Sequence, residues 1–376
     1  MRRLISRTYL HTLVIAVILL AAGCSKEPSG TVLTIAATAN VYGYVEPCDC
    51  RPEPLGGLPR RATALQRLNQ PREALLVLDA GDLLFFDTRL HPQTAEMQKH
   101  RARLMIEGCN RLGVDALNVG ERELAAGLPF LRSLANSARF AILSANLIVD
   151  HDQTPVFPPY LMLERGGLHI AVIGISSPII TGGGYQFLPL LPTLEQIVPQ
   201  VRETADLIIL LFHGTRNDLD RIQAAGFPLD LILPSHDTIH QGYGLEGIPT
   251  IPLGSLGKVL NLVRLNITAP GERLLDLEQA QHILDLVEKQ ISRLARNKPK
   301  DMTLDEYVRD QPERLERKRE LDAARSRIAE LLEQARNTLI HERITLDKSI
   351  RDDAAYIDLV EGIGIGPTGV SGPDDD

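Results

Sequence analysis

LLVLDAGDLL, residues 75–84, begins as an apolar run and ends in polar residues and glycine. A continuous apolar run of this kind is typical of a strand that is buried on both faces. Four more segments share this form: TIAATANVYG (34–43), ALNVGEREL (116–124), LIILLFHG (207–214) and LILPSHDTIH (231–240). Because ligands of such sheets gather where strands end, we expect the polar residues of the five segments to lie near one site.

Apolar runs alternate with helical stretches from residue 31 to about residue 268. The predicted strands cover residues 31–38, 74–81, 140–147, 169–176, 205–213, 228–235 and, as the closing strand, 259–267. The predicted helices cover residues 59–68, 93–112 and 194–204, and Pro199 weakens the last of them. This alternation predicts a layered α/β domain over residues 31–268.

The composition limits the function. The 376 residues carry a net charge of −8, contain no tryptophan and are only 4% aromatic. A nucleic-acid-binding domain usually presents a basic surface, so we expect no nucleic-acid partner.

The N-terminus has the features of an export signal. Arginines precede an apolar run at residues 13–22, which is short for a membrane span, and the run leads into LAAGC at 20–24. This resembles a bacterial lipobox and predicts a signal peptide at 1–23, a lipidated Cys24 and a tether at 24–30. Since Ser25 is not aspartate, we expect a lipid anchor in the outer membrane of the cell envelope, facing the periplasm. The alternative is an ordinary signal peptide with an incidental cysteine.

The composition shifts after Pro270. Residues 275–340 are rich in leucine, alanine and charged residues at helical spacing, which predicts a coiled-coil-like extension of amphipathic helices. Their charges form a solvated face or a surface for an envelope protein partner. Residues 341–376 form a C-terminal segment whose end, rich in glycine and aspartate, is predicted to be disordered.

Residues 31–268 resemble the 5′-nucleotidase and UDP-sugar hydrolase branch of the calcineurin-like metallophosphoesterases. The resemblance rests on the five segments and on GGLPRRATAL (56–65), LSANL (143–147) and GSLGKVL (254–260). It implies a four-layer α/β/β/α sandwich, here with a C-terminal helical extension, and phosphoester hydrolysis by two metal ions.

The positions of the first metal ion depart from the family pattern. The resemblance places an aspartate where this chain has Asn40, and histidines where it has Tyr42 and Thr238. Only the shared Asp82 remains. An amide and a phenol are poor ligands for a divalent ion, so we expect the first metal site to be lost.

The positions of the second metal ion are largely kept. They fall on Asp82, Glu121, His213 and His236, where only Glu121 differs from the family, replacing an asparagine. Two carboxylates and two imidazoles can hold one divalent ion such as Zn, Mn or Fe. The alternative is that these four residues are relics held by packing and hydrogen bonds.

The position of the family's catalytic histidine falls on Arg122. Arginine does not release a proton at useful pH, but it can clamp a phosphate or a carboxylate, so we expect a small anionic ligand. Asn40 and Asn146 are candidate ligand-binding residues, and Asn146 is equally suited to a turn. Standard two-metal catalysis is not expected.

Cys48-Asp49-Cys50 follows the first strand and should lie near the lost metal position. The pair can ligate a metal, act as a redox-active disulfide or be structural. Its spacing resembles a subgroup of nucleotidase-like proteins marked by a Cys-x-Cys or selenocysteine-containing pair.

The sequence thus predicts an envelope lipoprotein with a phosphoesterase fold and a weak or altered hydrolase activity. Two alternatives remain open: a redox protein that uses Cys48 and Cys50, and a non-enzymatic binding lipoprotein.

Overall fold

The structure is a computed structural model, and it describes residues 30–48, 52–68, 71–178, 183–236 and 243–361. Several predictions concern residues outside these ranges: the signal peptide, Cys24, Cys50, Thr238 and the C-terminal tail. Among the described helices, none has the length and apolar character that crossing a membrane requires.

Strands and helices alternate along the chain, as the sequence predicts. The strands are β1 (Thr31–Thr38), β2 (Leu75–Asp79), β3 (Ala116–Asn118), β4 (Ala141–Leu143), β5 (Leu147–Val149), β6 (Tyr160–Arg165), β7 (Leu168–Ser176), β8 (Tyr185–Phe187), β9 (Leu207–Gly214), β10 (Leu231–His236), β11 (Val259–Ile267), β12 (Leu274–Asp276) and β13 (Asn337–Thr345). The α-helices are α1 (Leu58–Arg67), α2 (Ala95–Leu112), α3 (Leu128–Ala135), α4 (Leu190–Arg202), α5 (Arg216–Ala225), α6 (Leu277–Leu294), α7 (Leu304–Val308), α8 (Pro312–Gln334) and α9 (Ala354–Val360).

Two sheets dominate the described part of the chain. Seven strands form one sheet in the order β12-β13-β11-β1-β2-β3-β4, and four form the other in the order β10-β9-β7-β6. Strands β1 to β4 run parallel to one another, and so do β7, β9 and β10. Each sheet therefore has an edge at which the carboxyl ends of several parallel strands meet.

The two sheets pack face to face and helices cover their outer faces. Along β1 the side chains alternate, so that Ile35 packs between the sheets with Ile209 of β9, whereas Ala36 packs toward α1 and α2. Val198 of α4 packs on Ile173 at the outer face of the second sheet. The layers follow the order helix, sheet, sheet, helix, which confirms the predicted four-layer α/β/β/α sandwich.

The apolar stretch 140–147 forms two short strands, β4 and β5, where the sequence predicts one. Strand β4 ends at Leu143 because the next backbone groups bond elsewhere. The N–H of Ser144 donates to the carbonyl of Pro158 at 3.0 Å, and that of Ala145 donates to the carbonyl of Gly174 at 2.7 Å. Gly174 belongs to β7, so the chain leaves the first sheet here, and β5 then pairs with β8 in a separate two-stranded sheet.

The C-terminal extension is helical only in part. Helices α6 and α8 pack together through Val287, Leu321 and Ile328, but residues 337–345 form β13, which pairs antiparallel with β11 in the first sheet. The prediction that the α/β domain ends at residue 268 is therefore wrong for β13. The prediction of helix up to residue 340 is wrong for residues 337–340. Leu339 is the reason, because it is 1% exposed and packs in the core between the sheets.

Candidate metal centre

The four predicted metal ligands lie together where strands of the two sheets end. Asp82 follows β2 and Glu121 follows β3, while His213 lies near the end of β9 and His236 ends β10. One donor atom from each residue lies within 4.8 Å of the others. Asp82, Glu121 and His213 are buried, and His236 is partly exposed.

The four side chains contact one another directly. The Nε2 atom of His213 contacts the Oε2 atom of Glu121 and lies 3.8 Å from the Oδ1 atom of Asp82. The Nδ1 atom of His236 lies 3.0 Å from the Oε1 atom of Glu121. Both imidazoles thus turn a nitrogen toward Glu121, and the donor atoms of the four residues lie close enough together to hold one small cation.

Ser235, which the sequence analysis missed, orients His213. The hydroxyl of Ser235 donates to the carbonyl of Ala80 at 2.7 Å, so it is an acceptor for the Nδ1–H of His213, 2.8 Å away. This hydrogen bond fixes the proton on Nδ1 and turns Nε2 toward the carboxylates. Its only sequence signal is its place immediately before His236.

The charges of the cluster shift its pKa values in opposite directions. Burial alone would raise the pKa of Glu121, but hydrogen bonds from His213 and His236 outweigh burial and hold that pKa well below its usual range. Burial alone would lower the pKa of His213, but the negative charges of Asp82, Glu121 and Glu123 raise it to about 8. Burial raises the pKa of Asp82 against the opposing charges of His213 and Arg122. The centre is therefore built to hold charges that stabilise one another.

Glu123, also missed, ties the Asp82 loop to the Glu121 loop. Its carboxylate accepts backbone N–H groups from four residues at 2.7–3.1 Å: Asp82, Leu83, Leu84 and Gly120. It is fully buried, and burial together with the charge of Asp82 raises its pKa to about 7. The available signal is its position two residues after Glu121, within GERE.

The backbone around the centre is strained. Positive φ angles occur at Asn40 (52°), Tyr42 (57°), Asp82 (58°) and His236 (75°), although none of these residues is glycine. Gly120 allows a close approach, since a Cβ there would lie 2.7 Å from the Oδ1 atom of Asp82. Such strain persists only where surrounding contacts enforce it, and it concentrates at functional sites.

Arg122 lies on the other side of Asp82. Its backbone N–H donates to the Oδ1 atom of Asp82 at 3.2 Å, and its Nε donates to Oδ2 at 3.0 Å. The guanidinium also lies over the ring of Tyr42, 4.3 Å from the centroid. A fixed positive charge therefore stands next to the buried carboxylate on this side.

The two asparagines serve as structural ties. The Oδ1 atom of Asn40 accepts the N–H of His236 at 2.9 Å, and its Nδ2 donates to the carbonyl of Gly254 at 3.3 Å. Asn146 is fully buried and uses both amide atoms on the backbone of Ser176, with a further bond to Leu188. Backbone groups thus engage both amide atoms of Asn146, as expected of a turn residue, and its ligand-binding role stays a prediction. The amide of Asn40 is likewise engaged by backbone.

Cys48 is disulfide-bonded, and its partner lies outside the described residues. Its N–H donates to the carbonyl of Leu55 at 2.8 Å, and the residue is 2% exposed. A sulfur in a disulfide is not a thiolate ligand, so this state does not suit the metal-binding alternative. The redox and structural alternatives stay predictions.

The donor chemistry fits one divalent ion. The two carboxylates and two imidazoles of the cluster lie close together, and this mixture of donors suits Zn, Mn or Fe. On the other side the amide of Asn40 is engaged by backbone and the ring of Tyr42 lies against a cation. Among the residues that the structure describes, convergent carboxylates and imidazoles form only this one group.

Comparison with known proteins gives relatives for much of the chain, although no family model matches it. The chain is similar to protein UshA of Yersinia enterocolitica, with 31% identity over 149 residues, which are 37% of this chain and 26% of UshA. It is also similar to snake venom 5′-nucleotidase of Gloydius brevicauda, with 26% identity over 246 residues, 60% of this chain and 40% of that protein. The matches thus span between about a quarter and two fifths of these relatives.

Solved structures share the fold. Calcineurin-like phosphoesterase YfkN from Bacillus subtilis aligns with a TM-score of 0.53 and 22% identity, over 63% of this chain and 86% of that one. This chain is therefore a homologue of 5′-nucleotidases and UshA-type proteins, and it has the calcineurin-like metallophosphoesterase fold.

Proposed function

We propose that this chain is a lipid-anchored envelope protein whose phosphoesterase fold holds one divalent metal ion beside an arginine, with weak or altered hydrolase activity. The observation that carries the proposal is the convergence of four donor atoms within 4.8 Å. The sequence LAAGC at 20–24 supports an anchor through Cys24, in the outer membrane and facing the periplasm.

Asp82, Glu121, His213 and His236 would hold the ion. When bound, the ion supplies a Lewis acid that polarises a phosphoryl or carboxyl oxygen. Ser235 keeps the proton of His213 on Nδ1, so that Nε2 remains directed at the carboxylates. These four ligands account for metal binding without any contribution from Asn40 or Tyr42.

Arg122 is suited to hold an anion next to that ion. Its Nε pairs with Asp82, its side chain is 24% exposed, and its terminal amino groups have no hydrogen-bond partner within the described ranges. Guanidinium groups bind phosphate and carboxylate well, but they do not donate protons to a leaving group. This supports anion binding with slow hydrolysis.

Metal analysis of protein purified without chelators tests the proposal. We expect close to one divalent ion per chain and a large loss of that ion in His236→Ala. His151→Ala is the matched control, because the side chain of His151 is 79% exposed and is not part of the metal cluster. Protein that contains no ion, and takes up none from added Zn or Mn, would contradict the single-metal centre.

Binding of inorganic phosphate tests the role of Arg122. We expect Arg122→Gln to weaken phosphate binding to the metal-loaded protein by about tenfold, the value of one charge-assisted contact. Arg221→Gln is the control, since Arg221 pairs with Asp218 on α5. Equal phosphate affinity in Arg122→Gln and in the unchanged protein would remove Arg122 from the anion site.

A further inference from the structure

Strand β13 brings an arginine, Arg343, to the edge of the first sheet at which the metal centre lies. β13 pairs antiparallel with β11, and β11 pairs antiparallel with β1, so β13 runs in the same direction as β1. The end of β13 therefore lies at the edge where the carboxyl ends of β1, β2 and β3 meet. In the pairing register Arg343 is opposite Asn261, which is opposite Ala37 near the end of β1. The C-terminal extension thus contributes a residue to this edge.

The side chain of Arg343 points to the space between the two sheets. Side chains alternate along a strand, and Leu339 of β13 packs in the core between the sheets, so His341 and Arg343 share that face. Glu342 points to the opposite face, where it pairs with Arg264 at 2.6 Å. The acidic neighbour of Arg343 in the sequence is therefore turned away from it.

The guanidinium of Arg343 lies against the loop that is bonded to Asn40. A Cβ atom at Gly254 would lie 3.3 Å from the Nη2 atom of Arg343, so glycine at this position leaves room for the guanidinium. The carbonyl of Gly254 accepts the Nδ2–H of Asn40 at 3.3 Å. The Oδ1 atom of Asn40 in turn accepts the N–H of the proposed ligand His236 at 2.9 Å. Two hydrogen bonds therefore link the backbone beside Arg343 to the metal centre.

No acidic group of the described residues compensates the charge of Arg343. The residue is exposed, and its guanidinium makes no hydrogen bond or ion pair within the described ranges. Its neighbour on the same face is His341, whose pKa is lowered to about 4 by burial and by the charge of Arg343, so this imidazole is uncharged at neutral pH. Its cross-strand neighbour, Asn261, is a neutral amide. Since a guanidinium binds phosphate and carboxylate well, Arg343 is available for an anion.

Arg343 and Arg122 lie on different sides of the site. The guanidinium of Arg122 lies over the ring of Tyr42, which follows β1 in the chain. β13 lies two positions from β1 in the sheet, which is about 10 Å at the usual spacing between strands. A single phosphate group does not span that distance, whereas a molecule with an anionic group at each end does.

We propose that Arg343 binds a second anionic group of the ligand, so that the ligand is an organic phosphate with another anionic group several bonds away. The inference rests on the proposed function, in which Arg122 and the metal ion hold the first anionic group. Arg343 would then select against anions that are too short to reach Gly254. The ligand class is therefore larger than inorganic phosphate and carries charge at both ends.

Two sugar phosphates test the proposal on the metal-loaded full chain. Fructose 1,6-bisphosphate carries a phosphate group at each end, whereas fructose 6-phosphate carries only one. We expect calorimetric titration to give about tenfold tighter binding of the bisphosphate, the value of one charge-assisted contact. Arg343→Gln should remove this preference by weakening the bisphosphate alone, and Arg343→Lys, which keeps the charge, should retain part of it.

Arg132→Gln is the matched control, because Arg132 lies on α3, is exposed and makes no ion pair with the described residues. It should keep the full preference for the bisphosphate. Equal binding of the two sugar phosphates by the unchanged protein, or a preference that survives in Arg343→Gln, would overturn this inference and leave the anion site at Arg122 in place. If neither sugar phosphate binds, the anion site at Arg122 fails and this inference fails with it.

Discussion

On one side of Asp82, the side chains of Glu121, His213 and His236 turn their donor atoms toward one another. On the other side, the guanidinium of Arg122 pairs with Asp82 and lies over Tyr42, while Asn40 bonds the backbone of two loops. Both sides are well ordered by contacts. The difference is that one side keeps donor atoms for a cation, whereas the other side already carries a cation of its own.

That fixed charge has a simple consequence for metal binding. A guanidinium 3.0 Å from Asp82 repels a second divalent ion placed against the same oxygen, and burial leaves little water to screen the repulsion. Arg122, which lies over Tyr42, thus supplies a positive charge that keeps the buried carboxylate of Asp82 paired on this side.

The largest expected effect is the loss of the ion from the ligand side. His236→Ala removes an imidazole whose side chain is 26% exposed, so folding should survive while one of four ligands is lost. We expect metal affinity to fall by more than about 100-fold, beyond the usual cost of losing an outer partner. Calorimetric titration with Zn measures it, and a loss below tenfold would mean that His236 is not a ligand.

The second-largest effect is expected from Glu123, whose carboxylate accepts backbone N–H groups from both the Asp82 loop and the Glu121 loop. Glu123→Gln keeps the size of the side chain but turns an N–H₂ group toward backbone N–H groups that the carboxylate accepts. We expect the free energy of unfolding to fall by about 2–4 kcal/mol, since buried donors lose their acceptor. Denaturant unfolding measures this loss.

Glu164→Gln is the control for that substitution, because Glu164 lies at the exposed end of β6. Its stability should change by less than about 0.5 kcal/mol. If Glu123→Gln also changes the free energy of unfolding by less than about 0.5 kcal/mol, the carboxylate of Glu123 does not stabilise the loop that contains Asp82.

A smaller effect is expected from the residue that orients His213. Ser235→Ala removes the acceptor for the Nδ1–H and should weaken metal binding by about 10- to 100-fold without removing any ligand. Ser177→Ala is a matched buried control, because the hydroxyl of Ser177 bonds Asp218. It should lower thermal stability and leave metal affinity unchanged. Equal metal affinities in the two variants would show that Ser235 has no part in orienting the ring.

The sequence located the four proposed ligands because each follows or ends an apolar run, and parallel strands bring such positions to one edge. It did not reveal Glu123 or Ser235, since their roles consist of bonds to backbone groups on distant loops. Strand β13 was hidden for a related reason. Its residues 337–345 follow a long helix, and only pairing with β11 makes them a strand.

The smallest effect should come from the side that holds Arg122. Tyr42→Leu removes the ring beneath the guanidinium, and a partly exposed cation–π contact is worth about 0.5–1 kcal/mol. Tyr42→Phe keeps the ring and should retain that stability, so the two variants separate the ring from the hydroxyl. Because the ligand side does not use Tyr42, metal affinity should stay within about twofold in both, a difference well below 1 kcal/mol. A tenfold change in Tyr42→Leu alone would show that the stacked arginine controls the charge of Asp82, and that the two sides act as one unit.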